Sequence, residues 1–271
     1  MEHISKKEWI LGIAITFVVV AISVLMYQTI QLALLNNVKL YNQALKINNS
    51  EEEFLYAINT NVGTTLSYGT FSAVEPQSIS ELIGEFSYIG KTKEEYCIHV
   101  DQVCTTDSDG DLSCRTEISY SWDSKGKEHL ETNLYMFLGN QFSQETLSMP
   151  FNIRYNLNPD LVAPEYHKLL HNSYIYEEER GWGTSVGDIR YKYNIIPQNF
   201  NASLFARFYE NKILNPKKEN RELEVYYEKT IEEVMLQQEK DIKVFTIIYF
   251  IVSILIGISL YLFLSYRVLN L

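Results

Sequence analysis

Motifs that carry chemistry are what this chain has least of. Its 271 residues hold no Gly-rich dinucleotide turn, no phosphate loop and no nucleophile elbow, so the usual patterns for nucleotide chemistry and acyl transfer are missing. The expectation is a non-enzyme with no catalytic residues, no metal site and no cofactor. Cysteine is scarce: Cys97, Cys104 and Cys114 all lie in the middle of the chain and allow one disulfide and one remaining thiol. Bases are short too, 23 Lys and Arg against 34 Asp and Glu for a net charge of −11. Only Glu2, Glu8, Lys6, Lys7, Lys243 and Arg267 are charged outside residues 9–241, so the acidic excess belongs to the middle. Such a surface suits neither nucleic acid nor anionic lipid. Internal repeats and low-complexity linkers are also absent.

Two long apolar stretches carry no charge. Trp9–Tyr27 (WILGIAITFVVVAISVLMY) runs for 19 residues and Val244–Tyr266 (VFTIIYFIVSILIGISLYLFLSY) for 23. At 1.5 Å per residue they reach about 28 and about 34 Å, enough to cross a hydrocarbon core of roughly 30 Å. Neither shows the polar stripe of a buried core helix. A cleaved signal peptide would stop near 15 apolar residues and be followed by a small-residue site, whereas YQTIQLALL follows here. Trp9 and Tyr27 sit at the two ends of the first run, where amphipathic rings prefer the headgroup layer. Lys6, Lys7 and Arg267 on the outer flanks, against Lys39, Lys240 and Lys243 on the inner ones, place both termini in the cytosol. The expected order is a cytosolic segment 1–8, a span 9–27, a luminal or external region 28–243, a span 244–266 and a cytosolic tail 267–271.

Apolar residues at Ile30, Leu34, Leu35, Val38, Tyr41 and Leu45 have helical spacing and predict that the first helix continues over 28–58. Leu223, Tyr227, Ile231, Val234, Gln238 and Ile242 predict a second helix over 221–243, entering the second span with no Gly or Pro between. Between them the pattern turns to period two. Strands are expected at 63–72, 82–89, 95–105, 112–123, 133–138, 187–196 and 202–209, with a short helix at 164–171 begun by Pro164. The fold class is therefore α+β: two transmembrane helices, N- and C-terminal, flanking a membrane-proximal β-rich domain with helices.

The stretch CTTDSDGDLSC (104–114) offers either an acidic calcium loop or a hairpin tip. Counted from Asp107, Gly110 falls at the fourth position rather than the sixth and Ile118 stands where the closing Glu belongs. With the turn at Asp109, one antiparallel register sets Tyr96 against Trp122, Ile98 against Tyr120 and Val100 against Ile118. The same register sets Cys104 against Cys114, which predicts a cross-strand disulfide and leaves Cys97 free on the polar face with His99, Asp101, Glu117 and Ser119. His167 and His171 lie one helical turn apart but lack the Glu and third ligand of a zinc site. They are expected on a partly exposed face, as is the acidic run Glu177–Arg180 in a solvated loop. Asn48 and Asn201 head glycosylation sequons. Gly12 with Thr16, and Ser253 with Gly257, are small pairs four apart that let membrane helices approach closely.

Three segments carry a family likeness: YCIHVDQVCTTDSDGDLSCRTEISYSWDSKGKEH with its Tyr-x-Trp strand, SYIYEEERGWGTSVGDIRYKYNIIP with Gly187, Asp188, Ile189 and Arg190, and the acidic helix that enters the last span. Together they resemble the LUMA family of integral membrane proteins. A looser similarity is to the beside-a-membrane domain of mitochondrial membrane-anchored ubiquitin ligases, without the Cys/His cluster that ligase activity would need. The LUMA resemblance implies a large luminal domain, self-association into a homo-oligomer, and scaffolding of other membrane proteins in the endoplasmic reticulum or nuclear envelope. Family members usually end in several spans, while this chain has one. A rival reading is a ligand-binding surface or viral-envelope receptor in a cell or virion membrane.

Overall fold

The computed structural model describes residues 6–106, 112–151, 156–179, 183–210 and 212–269. Among the described residues there are helices α1 (Lys6–Gln43), α2 (Glu51–Asn59) and α3 (Ile231–Leu269) and thirteen strands. These are β1 (Leu45–Asn48), β2 (Gly63–Ala73), β3 (Phe86–Thr106), β4 (Leu112–Glu131), β5 (Leu134–Phe137), β6 (Asn140–Ser143) and β7 (Leu147–Ser148), then β8 (Leu170–His171), β9 (Tyr174–Tyr176), β10 (Ile189–Pro197), β11 (Asn199–Tyr209), β12 (Lys212–Leu214) and β13 (Leu223–Tyr227). One sheet runs β6-β5-β2-β11-β13-β7, with β1 beside β2 and β12 beside β11; the other runs β4-β3-β10-β9-β8.

The first sheet is built on β2 and β11, antiparallel from Gly63↔Phe208 to Ser72↔Asn199. Successive side chains of a strand point to opposite faces. Ala202, Leu204, Ala206 and Phe208 therefore join Phe71, Phe137 and the α2 residues Phe54 and Ala57 in the larger core. Leu66 and Phe205 point the other way, onto the inner ends of α1 and α3 at Tyr41, Ala44, Ile231 and Val234. α1 and α3 run antiparallel beside each other, with Tyr27 against Tyr249 and Phe250, and Gly257 against Val19. Both are long and apolar enough to cross a membrane, over Phe17–Gln43 and Ile231–Leu260. A smaller core of Leu82, Phe86, Ile89, Val162, Ile175, Tyr193 and Ile195 supports the second sheet.

The helix expected over 28–58 is broken. α1 stops at Gln43, the chain crosses as β1, and α2 restarts after Ser50, whose Oγ accepts from the Glu53 amide at 3.2 Å. β1 forms because Ile47 buries completely when the segment pairs parallel with β2. Asn49, at φ 50°, supplies the left-handed kink that separates β1 from α2. The helix expected over 221–243 begins only at Ile231. Leu223 and Val225 alternate inward as β13, and Thr230 and Glu233 then form a capping box, Thr230 N–H to Glu233 Oε2 at 2.8 Å and Glu233 N–H to Thr230 Oγ1 at 3.3 Å. Of the strand expected at 82–89 only 86–89 is strand, and it continues unbroken into the one expected at 95–105 as β3; 82–85 lie before it, with Gly84 at φ 119°. Gly90 does not interrupt it; the Tyr88 ring lies over Gly90, where a Cβ would come 2.8 Å from Tyr88 Oη. The helix expected at 164–171 is a single 3-10 turn, Pro164–Tyr166, followed by β8.

Candidate functional site

Two places join the parts of this molecule, a junction beneath the first sheet and an arm leaving the second. At the junction, Tyr41 near the end of α1 stacks on Phe205 with ring centroids 4.0 Å apart. Its hydroxyl donates to Glu224 Oε2 on β13 at 2.7 Å, and the Tyr226 hydroxyl donates to the same oxygen at 2.6 Å. Lys217 Nζ completes the set at 2.9 Å from Glu224. Burial alone would raise the pKa of Glu224, but donors from Tyr226, Lys217 and Tyr41 and the Lys217 charge together hold it below the ordinary glutamate value. Burial, with the bond to Glu224, pushes the Tyr226 phenol upward. An ionised carboxylate thus ties the inner end of α1 to the sheet.

The arm is the outer part of β3 and β4. β10 pairs with β3 only as far as Ile189↔Glu95, so from Cys97 outward the described β3 pairs with β4 alone. The register is the one the sequence indicates: Tyr96↔Trp122, Ile98↔Tyr120, Val100↔Ile118 and Cys104↔Cys114. At its base, the Arg190 guanidinium lies 4.0 Å from the Trp122 ring centre and 3.8 Å from that of Tyr174, with Nε 2.7 Å from Glu94 Oε2. Farther out the apolar face is uncovered, Ile98 being 46%, Val100 63%, Ile118 58% and Tyr120 53% exposed. The opposite face is polar and cross-linked. Ser121 Oγ donates to Asp123 Oδ1 at 2.8 Å, and the His99 ring reaches Asp123 Oδ1 at 3.2 Å. The Ser121 hydroxyl, helped by His99 and Cys97, outweighs desolvation and keeps the Asp123 carboxyl below its ordinary pKa.

Cys104 and Cys114 have sulfurs 2.07 Å apart and Cα atoms 4.0 Å apart; Cys97 is a free thiol on the polar face. The calcium-loop residues Asp107, Asp109, Gly110 and Asp111 lie outside the described residues. Asn48 and Asn201 are both exposed, and Asn201 Oδ1 accepts from the Thr70 hydroxyl at 2.8 Å. Ser253 and Gly257 border a groove of about 370 Å3 between α1 and α3, with Val19, Ser23, Tyr27 and Tyr249. Gly12 and Thr16 lie on α1, their surroundings outside the described side chains. His167 Nε2 is 2.8 Å from the Val162 carbonyl and His171 meets the Tyr176 ring, so the two are not brought together as a ligand pair. No cluster of three or more metal-type side chains occurs among the described residues. No sequence pattern marks the Tyr41–Glu224 junction or the Arg190 sandwich as a site. The Gly-Asp-hydrophobic-Arg segment does contain Arg190, without indicating what it touches.

The family model described as Transmembrane protein 43 matches residues 118–269, more than half of the chain. This stretch runs from the middle of β4 through the Gly187–Arg190 segment to the end of α3. Neither the curated proteins nor the solved structures give a match.

Proposed function

Because the chain belongs to the transmembrane protein 43 family, the LUMA family, we propose that it is a non-catalytic scaffold of membrane proteins held by two spans. Residues 28–243 face the lumen or exterior, and 1–8 and 267–271 face the cytosol. The observation that carries this reading is the pair of long apolar helices that end beneath one sheet while Phe17, Leu25, Met26, Ile247, Ile251 and Leu255 point outward uncovered. Apolar surface of that extent needs lipid. From Ile231 to Lys243, α3 rises about 20 Å before the charge-free run begins, and its first turn, at Ile231 and Val234, is already buried in the body, so the two helices hold the β-rich body next to the bilayer.

On this reading Asn48 and Asn201 lie on the side where glycans are added, and the Cys104–Cys114 pair lies in an oxidising compartment. The endoplasmic reticulum and nuclear envelope fit both, and the partners are the bilayer, other membrane proteins and further copies of the chain. A receptor would need an enclosed apolar cavity in the body. Two clefts of the body, at Ile79, Glu81, Ile89 and Lys91 and at Leu40, Gln43, Lys46 and Val62, mix apolar with polar and charged groups and are open to solvent rather than enclosed.

Sealed vesicles carrying a tag at each end test the topology. Added protease should remove both tags and spare 40–240; tags on opposite faces would sink the two-span arrangement. The scaffold role is tested by lysine crosslinking in native membranes. Lys93, Lys125 and Lys127 should link to other membrane proteins, whereas a chain that links to none and retains a small molecule in its body would be a receptor.

A further inference from the structure

We propose that β4 is a docking edge for β4 of a second copy of this chain, in an antiparallel pairing centred on Ser119. The proposal rests on the scaffold reading above and names the surface through which copies join.

The backbone is set for it. In an antiparallel ladder, pairs that exchange no hydrogen bonds sit closer, near 4.5 Å, and turn their amides outward. The Cys104–Cys114 pair, with Cα atoms 4.0 Å apart, is of that kind. The base of the arm agrees: Tyr96 N–H donates to Asp188 and Tyr96 C=O accepts from Gly187, both away from β4. No register shift separates these two pairs. On β4 the residues of the same set, Cys114, Thr116, Ile118, Tyr120 and Trp122, therefore present N–H and C=O groups to the open side. β4 is the last strand of its sheet, and none of the described residues pairs with that edge. An uncovered edge without Pro is a template for another strand, and a lone two-stranded ribbon is marginal in water. The free edge of β3 is shorter, closed at Tyr96 by the 187–188 segment.

Charge and shape select the occupant and the register. With Ser119 opposite Ser119 of the second copy, Arg115 faces Asp123 twice and Glu117 faces Ser121. Ile118 then faces Tyr120, and Thr116 faces Trp122. Centring on Tyr120 instead sets Glu117 against Asp123 and Arg115 against Lys125, two like-charged contacts. Centring on Ile118 leaves Arg115 opposite Ser121 and makes no ion pair. Opposed charges and aromatic–aliphatic pairs favour a register, and like charges directly opposite disfavour it. The exposed faces at Ile98, Val100, Ile118 and Tyr120 become one apolar strip across four strands.

The test is Ser119→Cys in full-length protein in native membranes, with Cys97→Ser to remove the free thiol. Mild oxidation should give a disulfide-linked dimer. Glu117→Cys should not, its two copies lying roughly 13 Å apart along the strands. Arg115→Asp and Asp123→Arg should each lower the Ser119→Cys dimer yield several-fold, and the two together should restore it, which a folding defect would not do. Equal yields at 117 and 119, no dimer at 119, or failure of the double reversal to restore it would overturn the pairing. The lysine crosslinks to other membrane proteins report separately on the scaffold reading and survive if only the edge pairing fails.

Discussion

Removing the Arg190 guanidinium would strip three partners at once: the Trp122 face, the Tyr174 face and the Glu94 carboxylate. Each cation–π contact contributes about 0.5–2 kcal/mol, and the ion pair is mostly shielded from water. Arg190→Ala should therefore destabilise the body by about 2–3 kcal/mol in thermal unfolding, and Arg190→Lys should recover less than half, since an ammonium cannot stack between two rings. A loss within measurement error would remove Arg190 as the fastening of the arm. Glu224 gives a pH signature. Its folded pKa lies below the ordinary value, so its contribution is present above about pH 4.3 and is lost as pH falls through the lowered value. Glu224→Gln should melt lower than the parent at neutral pH, and the two curves should converge as the pH falls through the lowered pKa. Parallel curves would mean that the carboxylate does not hold the junction.

Among the elements, the arm depends least on the rest of the chain. The disulfide partners are separated by 10 positions and already aligned by cross-strand pairs. The Cys104→Ser, Cys114→Ser double variant should therefore stay inserted and folded, losing about 1 kcal/mol, the low end of the usual range. Non-reducing peptide mapping reads the pairing directly; a Cys97 link to either cysteine would break the register. The arm was legible because its ladder is local: hydrophobic alternation and the two cysteines specify one pairing. β1 and β13 were not. Leu223 and Tyr227 suit a helical as well as a strand spacing, and only pairing with β11 decides between them. The Thr230-x-x-Glu233 box did mark the true start of α3 in the sequence, as Asn48-Asn49-Ser50 marked the break after β1. The junction was illegible for a plainer reason: Tyr41 and Glu224 lie 183 positions apart, and no periodicity links them.

At the scale of the molecule, α3 passes without a break from its cap at Thr230 to Leu269, a single rod of about 58 Å. Its charge-free run is about 34 Å long, and a bilayer nearer 27 Å, such as that of the endoplasmic reticulum, accommodates such a run by tilting it. Nothing uncouples the rod at the membrane surface, and Ile231 and Val234 at its inner end are buried in the body. A hydrophobic mismatch felt along the span therefore leans the whole β-rich body, and with it the open strand of the arm. If β4 pairs as proposed, local lipid thickness thereby sets the angle at which that edge meets a second copy.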